Sequence, residues 1–113
     1  MHFNEMKTKS DWGYKWYIMS NNGNCYGQCY TYDDDKKTIF LSDLNVKDSY
    51  RNKGLGLKLQ IYREKIGIEL GYKYSILFVK KGSWMRKWYD RRGYKYYAKH
   101  EDDKQYVWLR KKL

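Results

Sequence analysis

The chain has 113 residues, of which 19% are aromatic, and a formal net charge of +11. That length suits one domain with a single modest core, so residues 1–113 are read as one unit. The longest wholly apolar stretch, Ile76 to Val79, is far short of the roughly 20 residues a membrane-spanning helix needs, and Met1 to Lys9 shows no charged-then-apolar leader; the expected setting is soluble, unprocessed and cytoplasmic, with no membrane partner.

Turn signals divide the chain. Asn21-Asn22-Gly23-Asn24 separates two β-rich runs, Tyr14 to Ser20 and Cys25 to Tyr32, and reads as a hairpin loop. Asp33-Asp34-Asp35-Lys36-Lys37 is a second polar turn, and Thr38 to Val46 reads as a third strand of an antiparallel meander. Residues 1–13 leave room for at most one short strand before it. After Val46 the period changes: Leu55, Leu59, Tyr62, Ile66 and Leu70 share one face of a helix and are expected to form core, with Gly71 as a left-handed cap. Tyr74 to Val79 has the continuous apolar character of a buried parallel strand. Ser83 caps a second helix running to about Arg92, with Gly93 as terminator and Trp84, Trp88 and Met85 expected to face the core. Tyr94 to Lys99 and Gln105 to Arg110 form a last hairpin. The order is βββ-α-β-α-ββ, an α/β chain with a mixed, mostly antiparallel sheet and a central β-α-β-α unit.

Cys25 and Cys29 on one strand have Cα atoms about 13 Å apart at about 3.3 Å per residue, too far for a disulfide. With His2 and His100 distant in sequence they make a poor ligand set, so no metal is expected. Charge is uneven: residues 1–49 carry 6 Lys/Arg against 7 Asp/Glu, whereas residues 50–113 carry 18 against 6. Such a field draws in anions, and it begins at a glycine-rich loop.

That loop lies in Val46-Lys47-Asp48-Ser49-Tyr50-Arg51-Asn52-Lys53-Gly54-Leu55-Gly56-Leu57, a strand running into a short turn and then a helix. Backbone N–H groups at a helix N-terminus point outward unpaired, and the helix dipole adds partial positive charge. Glycine lets a pyrophosphate approach the main chain closely. Lys47, Arg51, Lys53 and Lys58 add cations. A dinucleotide fingerprint would need a third glycine where Leu59 stands, and no Gly-Lys-Ser/Thr of a Walker loop is present.

The pattern present is Arg-x-x-Gly-x-Gly after a strand ending Leu44-Asn45-Val46. In Leu44, Val46, Tyr50, Arg51, Gly54 and Gly56 it resembles the GNAT acetyltransferase superfamily. A second match, Trp88-Tyr89-Asp90-Arg91-Arg92-Gly93-Tyr94, is similar to the family's Leu-Tyr-Glu-Lys-Leu-Gly-Phe segment and follows the expected helix and strand. The resemblance covers about residues 14–110. It implies a GNAT-like fold, and acetyl-CoA as co-substrate with its pyrophosphate on Arg51, Asn52, Lys53, Gly54, Leu55, Gly56 and Leu57. Leu44, Asn45 and Val46 would lie along the pantetheine. Transfer to a primary amine would then be direct, with Tyr89 as the acid for the departing thiolate and Asp43 as a base working through water. Two departures stand out. Gly82 occupies a position where the family usually carries Asn, and the two family helices that shape the acceptor site have no room here. The fold is therefore truncated at its N-terminus, and its acceptor wall must be minimal, open or supplied by another subunit, as in a homodimer.

The acceptor itself is left open among protein, small amine and aminoacyl-tRNA. Two other classes remain: a basic, aromatic-rich nucleic-acid-binding module, and a catalytically inactive module that binds coenzyme A and acts through a partner.

Overall fold

The computed structural model describes residues 2–113. β1 (Phe3–Lys9), β2 (Gly13–Ser20), β3 (Cys25–Tyr32) and β4 (Thr38–Val46) form an antiparallel meander. α1 (Leu55–Glu69) carries the chain to β5 (Tyr74–Lys80), which lies parallel to β4. After α2 (Trp84–Asp90) the chain closes with the hairpin β6 (Lys95–Lys99) and β7 (Tyr106–Lys112). The sheet order is β1-β2-β3-β4-β5-β7-β6. This is the mixed, mostly antiparallel sheet with a central β-α-β-α unit that the sequence predicts. β1 passes directly to β2 through residues 10–12, with no helix between them.

Local chemistry sets the element ends. The Asp35 carboxylate accepts the N–H groups of Lys37 (2.8 Å) and Thr38 (3.1 Å), which turns the chain into β4. α1 stops at Gly71, whose φ of +82° no β-branched residue adopts cheaply; Tyr72 N–H returns to the Gly67 carbonyl at 2.9 Å. The Ser83 side chain accepts the Arg86 N–H, as a helix N-cap should.

Both helices pack on one face of the sheet. Trp16, Ile18, Cys29, Ile39, Leu41 and Leu109 point toward them and are buried. Cys25 and Cys29 are free core thiols, and burial pushes Cys29 up to about 12, so it stays protonated.

The buried face of α1 differs from the apolar stripe read in the sequence. Leu55 and Leu59 are buried, Tyr62 and Ile66 pack at the rim, and Leu70 is 47% exposed. The residues that turn fully inward are Gln60, Arg63, Glu64 and Gly67. Gly67 is there because a Cβ would stand 2.8 Å from Ile39 Cγ2. The three polar residues form a network that apolar periodicity cannot register. Gln60 Nε2 donates to Glu64 Oε2 (2.8 Å) and to the Tyr94 hydroxyl (2.9 Å). Tyr94 lies 2.9 Å from Glu64 Oε2 and 2.7 Å from Ser75 Oγ. Lys111 Nζ closes the charge on Glu64 Oε1 at 2.9 Å.

Among the described residues, no helix covers the opposite face. Its outward side chains form a continuous aromatic surface. Tyr30 stacks on Phe40 at 5.3 Å, Phe40 meets Trp108 at 6.3 Å, and Trp108 meets Phe78 at 5.3 Å and His100 at 5.2 Å. Trp12 extends it past Tyr32.

Tyr94→Phe keeps the ring but leaves Gln60, Glu64 and Ser75 short of a partner. It should cost about 1–3 kcal/mol, read as a lower denaturant midpoint at unchanged slope; an unchanged midpoint would mean that the network adds nothing to stability.

Candidate active site

β4 and β5 stay together for three residues only, Thr38↔Tyr74, Ile39↔Ser75 and Phe40↔Ile76. β5 then follows β7 along its length, and β4 runs on to Val46 with no strand on that side. β4 also carries an extra residue. Gln28 faces Ser42 and Tyr26 faces Asn45, so three steps along β4 match two along β3. The irregularity includes Asp43, at φ +55°. It re-aims the rest of the strand, and Leu44 and Val46 turn toward the helices and line a groove.

The groove, of about 460 Å³, lies between the end of β4, the start of α1 and α2. A 3₁₀ turn over Asp48–Tyr50 leads into it. Asn52 (φ +63°) and Gly54 (φ +77°) then bend the main chain so that α1 starts at Leu55. Lys58 N–H makes the first helical bond, to the Gly54 carbonyl at 3.1 Å. Among the described residues, no acceptor takes the N–H groups of residues 52–57. A Cβ on Gly54 would meet nothing within 4 Å, because that side faces open space. Orphan amides, a helix dipole and a bare main chain suit a phosphorylated ligand.

Leu44, Asn45, Val46, Arg51, Asn52, Gly54, Leu55, Gly56 and Leu57 all line this one groove. Lys53 is the exception; its ammonium sits 5.4 Å from the Tyr50 ring centroid. Arg51 is braced by the Val46 carbonyl (3.1 Å from Nε) and by Asp48 (3.1 Å), and alone of the four cations named from the sequence it lines the groove. A second cation, Arg92, joins it from beyond α2, stacked 4.4 Å over Trp88. Its Nε is buried without a partner. Met85 and Trp88 pack against the core, as the sequence pattern predicts, and also line the groove; Trp84 lines the groove at 67% exposed and lies outside the core. Their spacing of one and four residues gives them, with Arg92, a shared helix face, which was the available signal.

Tyr89 and Asp43 lie outside the groove lining. Tyr89 is buried against Trp88 and Tyr94, and its oxygen accepts from Arg63 Nη2 at 3.2 Å. Burial pushes its phenol up, with the Arg63 cation acting against the rise. Asp43 is exposed. Burial, and after it the neighbouring Tyr32, pushes the Tyr30 phenol up to about 12, with the smallest contribution from the Asp43 charge.

A parallel strand pair that parts over a glycine-framed helix N-terminus defines an α/β fold suited to a ligand carrying phosphate. The particular family follows from the sequence: the model of the acetyltransferase (GNAT) family matches residues 2–94, and the chain belongs to that family. No curated protein matches the chain. Among solved structures, it is similar to a GNAT family acetyltransferase from Elizabethkingia anophelis with acetyl-CoA bound. The TM-score is 0.69 at 12% identity, over 98% of each chain. It is also similar to an acetyltransferase from Bacillus cereus, with TM-score 0.68 and 21% identity over 98% of this chain and 74% of that one. A third is PaiA N-acetyltransferase from Thermoplasma acidophilum in complex with coenzyme A, with TM-score 0.70 and 19% identity over 88% of this chain and 60% of that one. At these identities the likeness is one of fold.

Gly54→Val places a branched side chain at positive φ and fills the space before the free amides. Acetyl-CoA at 100 times its Kd should stabilise the native protein by about 2.7 kcal/mol, seen as a rise in Tm, and the variant should lose that rise. Retention of the full rise would place the ligand elsewhere.

Proposed function

We propose that the protein is an acetyl-CoA-dependent N-acetyltransferase that passes the acetyl group directly to a primary amine. The observation that carries this reading is the row of unpaired amides at residues 52–57, at the head of a groove bordered by β4 where it has left β5. The pyrophosphate sits on those amides with Arg51 and Arg92 alongside, and the pantetheine follows Leu44, Asn45 and Val46. The thioester reaches the opening between the strands, which leads from the helix side to the aromatic face.

The amine arrives over the aromatic face, within reach of the exposed Asp43 at the β4 irregularity. An alkylamine has a pKa of about 10.4, so it must shed a proton before its nitrogen can attack. Asp43 takes that proton through water. The nitrogen–carbon bond forms, the carbon–sulfur bond breaks, and the departing thiolate takes a proton from Tyr89. Burial disfavours the phenolate, so Tyr89 holds its proton at neutral pH and has one to give, while the Arg63 cation works against the rise that would make it a weaker donor.

Thiol release from acetyl-CoA across a panel of primary amines tests the activity. Tyr89→Phe should lower kcat by about 100-fold while acetyl-CoA still raises Tm. Unchanged kcat would remove Tyr89 from the chemistry. Absence of thiol release with every amine, alongside a normal Tm rise, would favour a coenzyme-binding module without turnover. No Tm rise combined with steeply salt-dependent RNA binding would favour the nucleic-acid reading instead.

A further inference from the structure

We propose that Arg63 is a positioning residue for the transfer: it fixes the Tyr89 oxygen as an acceptor and so leaves the phenolic proton free for the departing sulfur. The inference rests on Tyr89 as the acid.

Arg63 is 0% exposed, at the middle of α1, and its guanidinium bridges two parts of the molecule. Nη1 donates to the carbonyls of Gln28 (3.1 Å) and Ser42 (3.0 Å), which face each other across β3 and β4. Nη2 donates to the Gln60 side chain and to the Tyr89 hydroxyl. Ser42 is two residues beyond Phe40, the last residue of β4 paired with β5, and it adjoins Asp43. One guanidinium therefore ties the phenol on α2 to the place where the strands have parted.

A guanidinium has no acceptor, so in this bond the Tyr89 oxygen can only accept. Its own proton then has to go elsewhere. Among the described residues, nothing accepts it. A buried hydroxyl with an unused proton is costly, and a water, a ligand or a reacting group is what meets it. The cation also stands beside the charge that Tyr89 acquires once it has given the proton up, which favours the transfer. Glu64, reached through Gln60, is the carboxylate that offsets the buried Arg63 charge, and it does so without touching the phenol. A purely structural Arg63, there only to satisfy the carbonyls of Gln28 and Ser42, would have no need of Tyr89.

The test is a double-mutant cycle on steady-state transfer, with Arg63→Gln, Arg63→Lys and Tyr89→Phe. Arg63→Gln should lower kcat about 10- to 100-fold with KM for acetyl-CoA within about twofold, and Arg63→Lys should recover part of the loss. Combined with Tyr89→Phe, either Arg63 substitution should slow the enzyme little further, because the group it acts through is already gone. Multiplying losses, or Arg63→Gln at full kcat, would overturn the inference and leave Tyr89 as the acid. Tyr89→Phe at full kcat would overturn both readings at once. Near-UV circular dichroism and the acetyl-CoA-induced Tm rise verify folding; if Arg63→Gln does not fold, Arg63→Lys with and without Tyr89→Phe completes the same cycle.

Discussion

The separation of β4 from β5 after three paired residues is the constraint on which the other features turn. Parallel strands are joined through a crossover helix, so the helix must start close to where the first strand ends and cross the gap the strands leave. That puts the unpaired N-terminus of α1 at the mouth of the groove and the middle of α1 above the wedge. Something polar has to satisfy the strand backbone in the wedge. Here Arg63 meets the Ser42 carbonyl there, and Arg51 meets the Val46 carbonyl farther along. A buried guanidinium is tolerated only when it is hydrogen-bonded, and Arg63 takes its partners from both strands and from α2.

The two faces of the sheet divide the work. On the helix side, Arg51 and Arg92 flank free amides in the basic half of the chain, where an anion is drawn in. On the other side, rings from β3, β4, β5 and β7 form a surface with no helix over it. β1 turns straight into β2, with no helix between them. The extra residue in β4 separates two stretches of the strand: it turns Leu44 and Val46 toward the groove and leaves Asp43 exposed at the irregularity.

Strand limits were legible because their ends are written in local chemistry. Asn21 to Asn24 and the Asp35 turn act within a few residues, and the free amides at Gly54 follow from helix geometry alone. What the sequence hides depends on partners distant along the chain. The apolar residues of α1 form a clean helical stripe, yet Leu70 is out in solvent and Arg63 is in the core. Its partners Gln28, Ser42 and Tyr89 come from three other elements. Trp84 reads as core for a related reason, since an apolar helix face carries the same pattern whether protein or ligand covers it. The displaced register at Asp43 has no sequence signature: aspartate tolerates positive φ better than most residues, but nothing local demands it here and only the pairing with β3 reveals it.

Amide chemical shifts followed during a coenzyme A titration test the central claim most directly. If the diphosphate rests on the strand–helix junction, the resonances of Asn52 through Leu57 should move first and farthest, with Gly54 and Gly56 prominent. Shifts confined to other regions of the chain, with these amides stationary at saturation, would contradict the account.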